Sequence, residues 1–94
     1  MPRYLVERTF EDGRELPLTA SDEAEFRAIE ERNTRDQVTW LHSYVSSDRR
    51  KMFCVYDAPT PEALRHASAA SRLPVDSITE VHVLDPYFYG SRTR

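Results

Sequence analysis

The chain has 94 residues, which is enough for one domain with one hydrophobic core and excludes a second domain. The net charge of −3 argues against a nucleic-acid-binding protein, because phosphate affinity depends on clustered Lys and Arg side chains. Every apolar stretch is far shorter than the roughly 20 residues that cross a bilayer, so we expect no membrane partner.

Cysteine content and the first residues of the chain indicate a cellular compartment. Cys54 is the only cysteine, so no intramolecular disulfide can form. Charged residues, Glu7 and Arg8, stand where a signal peptide would be apolar. We therefore expect a reducing, cytoplasmic location. Lys51 is the only lysine among the basic residues, a bias typical of a GC-rich bacterial genome.

The first half of the chain predicts a strand, a helix and a hairpin. Residues 3–10 alternate as a strand does, and Asp12-Gly13 ends them. Residues 21–35 carry helix formers with acidic residues in the first turn, where they suit the helix dipole. Residues 38–46 and 51–57 are rich in β-branched and aromatic residues, and the polar residues 47–50 between them predict a turn.

The second half predicts a helix and a final strand. Thr60 is suited to be a helix N-cap, Pro61 to occupy the first helical position, and Glu62 to lie in the first turn. This helix must stop before Pro74. Residues 77–84 predict the last strand, residues 91–94 a frayed tail, and residues 1–90 a single domain.

The resulting order, β-α-β-β-α-β, is typical of an α+β ferredoxin-like fold. Such a fold has a four-stranded antiparallel sheet with two helices on one face. The other face is left open, and a small domain is stabilised by covering it. We therefore expect a homodimer of the dimeric α/β-barrel type, in which two open faces enclose a pocket for a metal ion or a small molecule.

Strand alternation predicts which side chains share a face. The set expected against the helices is aliphatic or aromatic, and consists of Val6, Leu41, Val45, Phe53, Val55, Val81 and Val83. The set expected on the open face mixes large aromatic with ionisable residues, and consists of Leu5, Glu7, Trp40, His42, Tyr44, Met52, Cys54, Tyr56, Glu80, His82 and Leu84. The second set predicts a polar pocket.

Five residues of this pocket have metal-binding chemistry. Imidazole and carboxylate suit nickel, zinc, copper or iron, and a thiolate adds affinity for the softer ions. The candidate ligands are His42, Glu7, Glu80, His82 and Cys54, with Trp40, Tyr44 and Tyr56 lining the pocket around them. No pair has the spacing of a known metal motif, and each residue alone has a structural alternative, such as a buried thiol or a hydrogen-bonded interface histidine.

The sequence also resembles a known family. The matching segments are the start Met-Pro-Arg-Tyr-Leu-Val-Glu-Arg, residues 40–45 (Trp-Leu-His-Ser-Tyr-Val), residues 53–59 and 73–76, and residues 78–81. They resemble small bacterial proteins grouped as a domain of unknown function that includes an actinobacterial nickel-binding protein. The resemblance implies a dimeric ferredoxin-like fold and nickel binding. Residues 11–37 are unusually charged for that family, so ligands that relatives supply from this region are in doubt here.

Three functions follow as alternatives. The first is transition-metal binding, with nickel as the expected ion, zinc or copper as alternatives, and metal buffering or sequestration as the role. The second is a cofactor-independent isomerase or oxygenase that uses His42 near Glu7 or Glu80 as an acid or base, by analogy with other dimeric barrels. The third is an assembly module without chemistry, in which the polar face sets the dimer register.

Overall fold

We analysed a computed structural model, which describes residues 1–11 and 22–87. In chain order its elements are β1 (Arg3–Thr9), α1 (Glu23–Arg35), β2 (Thr39–Val45), β3 (Lys51–Asp57), α2 (Pro61–Ala70) and β4 (Ser77–Val81). The predicted α+β ferredoxin-like order is confirmed. Ser21, at the predicted start of the first helix, and the predicted tail at 91–94 lie outside the described residues.

The four strands form one antiparallel sheet in the order β2-β3-β1-β4. The central pair aligns Val6 with Cys54 and Leu5 with Val55. On its other side β1 pairs with β4, which aligns Val6 with Ile78. Strands β2 and β4 are therefore the two edges of the sheet.

Helix α2 begins as the sequence predicts. Thr60 has extended backbone angles, and its Oγ1 accepts a hydrogen bond from the backbone N–H of Ala63 at 3.1 Å. Pro61 occupies the first turn, where its missing N–H costs nothing. The helix ends at Ala70, and the N–H of Ser71 caps carbonyls of the last turn.

The core lies between the helices and one face of the sheet. Its buried residues alternate along β1 and β3 and recur at helical spacing in α2: Tyr4, Val6, Phe10, Val38, Met52, Cys54, Tyr56, Ala58, Leu64 and Ala67. The sheet face opposite the helices is not covered by any described part of the chain.

The expected face assignment was wrong for β3. Met52, Cys54 and Tyr56 are buried against the helices, and Phe53 and Val55 lie on the open face. The pairing with β1 fixes this arrangement, because Cys54 aligns with Val6, which is fully buried. Both parities are apolar between Met52 and Tyr56, and only the charged ends, Lys51 and Asp57, mark the parity of Phe53 and Val55 as the open one.

The face assignment was also wrong at Trp40 and in β4. Trp40 aligns with Tyr56 on the helix side, and the ladder then skips Leu41, so that His42 aligns with Val55 on the open face. In β4, Glu80 aligns with Tyr4 on the helix side, and Val81 aligns with Arg3 on the open side. The β-bulge at Leu41 shifts the alternation of β2 by one residue, which a strict period of two does not predict. Strand β4 has no bulge; its parity is fixed by the regular ladder with β1, which a single strand's pattern does not show.

Strand β4 is shorter than the sequence predicted. It ends at Val81, which aligns with Arg3, the first residue of its partner strand β1. His82, Val83 and Leu84 follow the strand and are exposed, so they lie on neither face of the sheet.

Candidate metal centre

The open face of the sheet carries two of the five candidate ligands, His42 and Glu7. The rows across this face follow from the pairing: one runs His42, Val55, Leu5, Thr79 and the next runs Tyr44, Phe53, Glu7, Ser77. Val55 and Leu5 fill the middle of the first row, and Phe53 lies beside Glu7 in the second. The imidazole and the carboxylate thus stand at separate points, with apolar side chains between them.

His42 owes its position to the bulge at Leu41. Its ring contacts the ring of Tyr44 edge-on, with centroids 5.3 Å apart and planes at 87°. Both side chains are exposed, Tyr44 to 64%. The imidazole nitrogens can therefore be reached from solvent or from a partner molecule.

Glu7 lies in the middle of the sheet and is half-buried. The hydroxyl of Ser77 donates a hydrogen bond to its Oε2 at 3.1 Å, across the β1–β4 pair. The backbone carbonyl of Glu7 also accepts from the N–H of Asp76 at 2.8 Å. The carboxylate is thus oriented by a neighbouring strand, as ligating carboxylates usually are.

Within one chain, His42 and Glu7 are too far apart to share an ion. They are two strands and one row apart, which separates their backbones by about 10 Å across the sheet and about 7 Å along it. Within the described ranges, no three His, Cys, Asp or Glu side chains gather into a group that could hold a metal ion. The donor chemistry fits a divalent metal, but the described residues of one chain supply only part of a coordination sphere.

Cys54 lies in the core, away from the open face. Its exposure is 1%, and it neighbours Tyr56 closely enough to act on the phenol. Burial raises the pKa of Tyr56 to about 12, against the opposing charge of Arg8. The thiol therefore packs as a small apolar group beside a tyrosine that stays neutral.

Glu80 and His82 are placed apart from the other candidates. Glu80 lies on the helix side at an exposed edge, where its charge, after the larger effect of burial, raises the pKa of Tyr4. His82 follows β4 and lines a shallow cavity of about 240 Å³ together with Arg3 and Asp57. Neither residue shares the open face with His42.

The three expected pocket residues divide between the faces. Tyr44 is on the open face, while Trp40 and Tyr56 pack on the helix side. The Trp40 ring lies 5.8 Å from that of Phe26 on α1 and 6.4 Å from that of Tyr56, and its indole N–H donates to the Ser43 hydroxyl at 2.8 Å. Trp40 thus packs the edge strand β2 against α1.

One polar residue of consequence was not predicted. Arg8 is 1% exposed, and its guanidinium donates to the carbonyl of Pro74 at 2.7 Å, to the hydroxyl of Tyr56 at 2.8 Å and to the hydroxyl of Ser68 at 3.1 Å. In the part of the chain that the structure describes, its Nε is buried without a hydrogen-bond partner. Arg8 shares its parity with Tyr4 and Val6, which is the signal that could have placed it in the core.

Comparison with known proteins gives a family and a fold. The sequence profile of the family described as "Nickel responsive protein SCO4226-like" matches residues 4–81. The crystal structure of SCO4226 from Streptomyces coelicolor A3(2) superposes with a TM-score of 0.70 at 14% identity, covering 88% of this chain and 99% of that one. A search of curated proteins gave no match. None of the helices in the described residues is long and apolar enough to cross a membrane.

Proposed function

Since the chain belongs to the SCO4226-like family of nickel responsive proteins, we propose that it binds a transition-metal ion, nickel first, between two copies of its open sheet face. The observation that carries this proposal is the exposed imidazole of His42 on an uncovered sheet face, beside the apolar centre formed by Leu5, Phe53 and Val55. An imidazole is a good ligand for nickel, zinc and copper.

The open face supports a homodimer. Phe53, Val55 and Leu5 form its apolar centre, and Tyr44 stands at its border with 64% exposure. A large contiguous apolar surface on a small domain is typical of an interface. A two-fold axis through this face lets each copy cover the other with the same residues.

The homodimer also supplies what one subunit lacks. A two-fold axis doubles every donor, so two His42 imidazoles and two Glu7 carboxylates become available around one enclosed space. Nitrogen and oxygen donors of this number suit a divalent ion of the nickel, copper or zinc group. Cys54 and Glu80 lie on the helix side and have no part in the proposal, while His82 remains a candidate because it follows the edge strand.

The cellular role we propose is metal buffering or sequestration in the cytoplasm. The occupancy of a site formed between two subunits depends on both metal and protein concentration, as a buffer requires. Such a protein holds metal without transforming a substrate.

Metal titration of matched histidine variants tests this function. We expect the purified wild-type protein to bind about one nickel ion per dimer and to melt at a higher temperature with nickel, because a ligand of the native state stabilises it. His42→Ala should lose both effects. His66→Ala is the matched control, because His66 is exposed on α2, where its Nδ1 lies 2.8 Å from Asp36.

Parallel titrations with zinc and copper identify the preferred ion. The proposal is wrong if wild-type protein binds none of the three metals, or if His42→Ala binds and is stabilised as well as His66→Ala.

A further inference from the structure

An open cavity between α2 and the segment that leads into β4 has no part in the proposed metal site. Its volume is about 310 Å³, and α2 supplies one wall while residues 73–77 supply the other. Neither His42 nor Glu7, the candidate ligands of the open face, lines it. The cavity is therefore a separate place at which the described chain can hold a molecule.

A buried guanidinium lies directly behind the wall of this cavity. Arg8 is 1% exposed and donates to the Oγ of Ser68, a residue that lines the cavity. It also donates to the carbonyl of Pro74, which joins the lining residues Leu73 and Val75. Among the described residues Arg8 contacts no carboxylate, and its Nε has no hydrogen-bond partner. Because a buried charge without a counter-ion is unfavourable, this guanidinium attracts an anion in the cavity.

Ser68 has a hydrogen-bond donor that no described residue uses. It is 4% exposed, and its Oγ accepts from Arg8, but its O–H hydrogen has no acceptor in the described part of the chain. The other hydroxyl of the cavity, that of Ser77, donates to Glu7 at 3.1 Å and is already paired. Because an unpaired buried donor costs free energy, a ligand oxygen that accepts from Ser68 is favoured.

The charges around the cavity favour a ligand with a single negative charge. Arg65 lines the cavity with a side chain that is 60% exposed, and its partner Glu62, at 3.7 Å, is 78% exposed, which makes their attraction weak. Asp76 is the one carboxylate among the described lining residues, and it accepts a hydrogen bond from Thr9. Two positive charges, those of Arg8 and Arg65, thus face one negative charge, and a monoanion balances them.

We infer that this cavity binds a small monocarboxylate with a short aliphatic chain. The carboxylate accepts from the Ser68 hydroxyl and the Arg65 guanidinium, close to the buried charge of Arg8. The aliphatic chain contacts the apolar residues of the cavity, which are Ala69, Leu73 and Val75. This site goes beyond metal binding, because one chain forms it and neither the ion nor the homodimer is needed.

Amide NMR titration with butyrate and butyramide tests the site. The two molecules have nearly the same size and shape, but only butyrate carries a charge. At neutral pH and constant ionic strength, butyrate should shift the amide signals of residues 65–77, and the shifts should saturate in the millimolar range. Butyramide should need at least about tenfold higher concentration, because it lacks the charge that the two guanidinium groups attract. Equal binding of the two molecules would overturn the inference.

Matched variants locate the contacts. Arg65→Gln should weaken butyrate binding at least about threefold, and Ser68→Ala at least about tenfold, because each removes a donor to the carboxylate. Arg27→Gln is the control, since it removes an equally exposed guanidinium from α1. The Arg65→Gln result decides the test if Ser68→Ala, a change at a buried position, does not fold. Butyrate binding by Arg65→Gln that equals binding by Arg27→Gln would contradict the site.

Two further titrations define the ligand class and the location. Sulfate, a dianion without an aliphatic chain, should bind more weakly than butyrate because of the Asp76 carboxylate, and equal binding would contradict a monocarboxylate site. His42→Ala should bind butyrate as the wild type does, since His42 lies on the open face. Loss of butyrate binding in His42→Ala would overturn the placement of the site, whereas loss of nickel binding alone concerns only the metal proposal.

Discussion

Arg8 shows how the fold accepts a buried cation. The three oxygens that its guanidinium contacts belong to neutral groups of Pro74, Tyr56 and Ser68. Ser68 lies in the last turn of α2, where the helix dipole is negative and no basic residue of the helix itself is present. Arg8 of β1 thus supplies the positive charge that complements the end of α2. Its side chain forms hydrogen bonds that connect β1 with β3 and α2.

Arg8→Ala should lower the free energy of unfolding by about 3 kcal/mol, because it leaves a cavity and deprives buried oxygens of their donor. Arg8→Met fills most of the cavity and should cost less. Urea unfolding measures both. Arg65→Ala, which removes an exposed guanidinium 3.7 Å from Glu62, serves as the control and should change little. A loss for Arg8→Ala no larger than that for Arg65→Ala would contradict the structural role.

The Arg3–Asp57 pair makes stability depend on pH. Arg3 Nε donates to the carboxylate at 2.8 Å, and this hydrogen bond, with the arginine charge, lowers the pKa of Asp57. Because folding lowers the pKa of Asp57, the pair stabilises the folded state at every pH above about 3.9, the pKa of Asp in the unfolded chain. This stabilisation is lost as the pH falls through the pKa of Asp57 in the folded state.

Asp57→Asn should therefore flatten the acid side of the stability profile. Between about pH 6 and about pH 3 the wild-type protein should lose more stability than the variant, measured by urea unfolding at each pH. Glu31→Gln, at an exposed position of α1, should follow the wild type. Parallel acid profiles for wild type and Asp57→Asn would show that the pair does not contribute.

At the scale of elements, the bulge in β2 lets one strand serve two purposes. Before Leu41 the strand directs Trp40 into the helix layer, and after it His42 is directed to the open face. With strict alternation these two residues would share a side. Because of the bulge, the same strand packs Trp40 against α1 and exposes His42, the candidate ligand, on the open face.

The single tryptophan reports on this packing. Phe26→Ala removes a ring 5.8 Å from Trp40 and should shift tryptophan emission to longer wavelength. It should also lower the free energy of unfolding by about 2 kcal/mol, since Phe26 is only half-buried. Phe53→Ala is the matched control from the other face of the sheet and should leave the emission maximum in place. Equal shifts in both variants would contradict the placement of Trp40.

The same elements show what sequence reasoning could and could not predict. The capped start of α2 and the bounds of β3 followed from local chemistry, and the ferredoxin-like order followed from the elements. The buried side of β3 did not, because both of its parities are apolar in the middle of the strand; the charged ends, Lys51 and Asp57, were the local signal, and pairing with Val6 places Cys54 inside. The end of β4 also depends on its partner strand, so a local pattern extended it to Leu84. Consequently His42 and Glu7 were assigned to the open face correctly, while Cys54, Glu80 and Trp40 were not.

At the scale of the whole molecule, the proposed metal site requires that two copies bury the open face. Folding and association are then coupled, and apparent stability depends on protein concentration. Thermal melts at several dilutions test this requirement without assuming which residues bind metal.

We expect the wild-type melting temperature to fall by about 4 °C for each tenfold dilution, because that dilution changes the free energy of association by about 1.4 kcal/mol. Phe53→Asp places a charge in the apolar centre of the face, so its melting temperature should be lower and independent of concentration. Ala24→Asp, which adds the same charge at an exposed position of α1, should behave as the wild type does.

Nickel should raise the wild-type melting temperature most in dilute samples, where a metal that bridges two subunits restores the dimer. It should not raise the melting temperature of Phe53→Asp. Wild-type melting that is unaffected by dilution would remove the dimer, and with it the shared site.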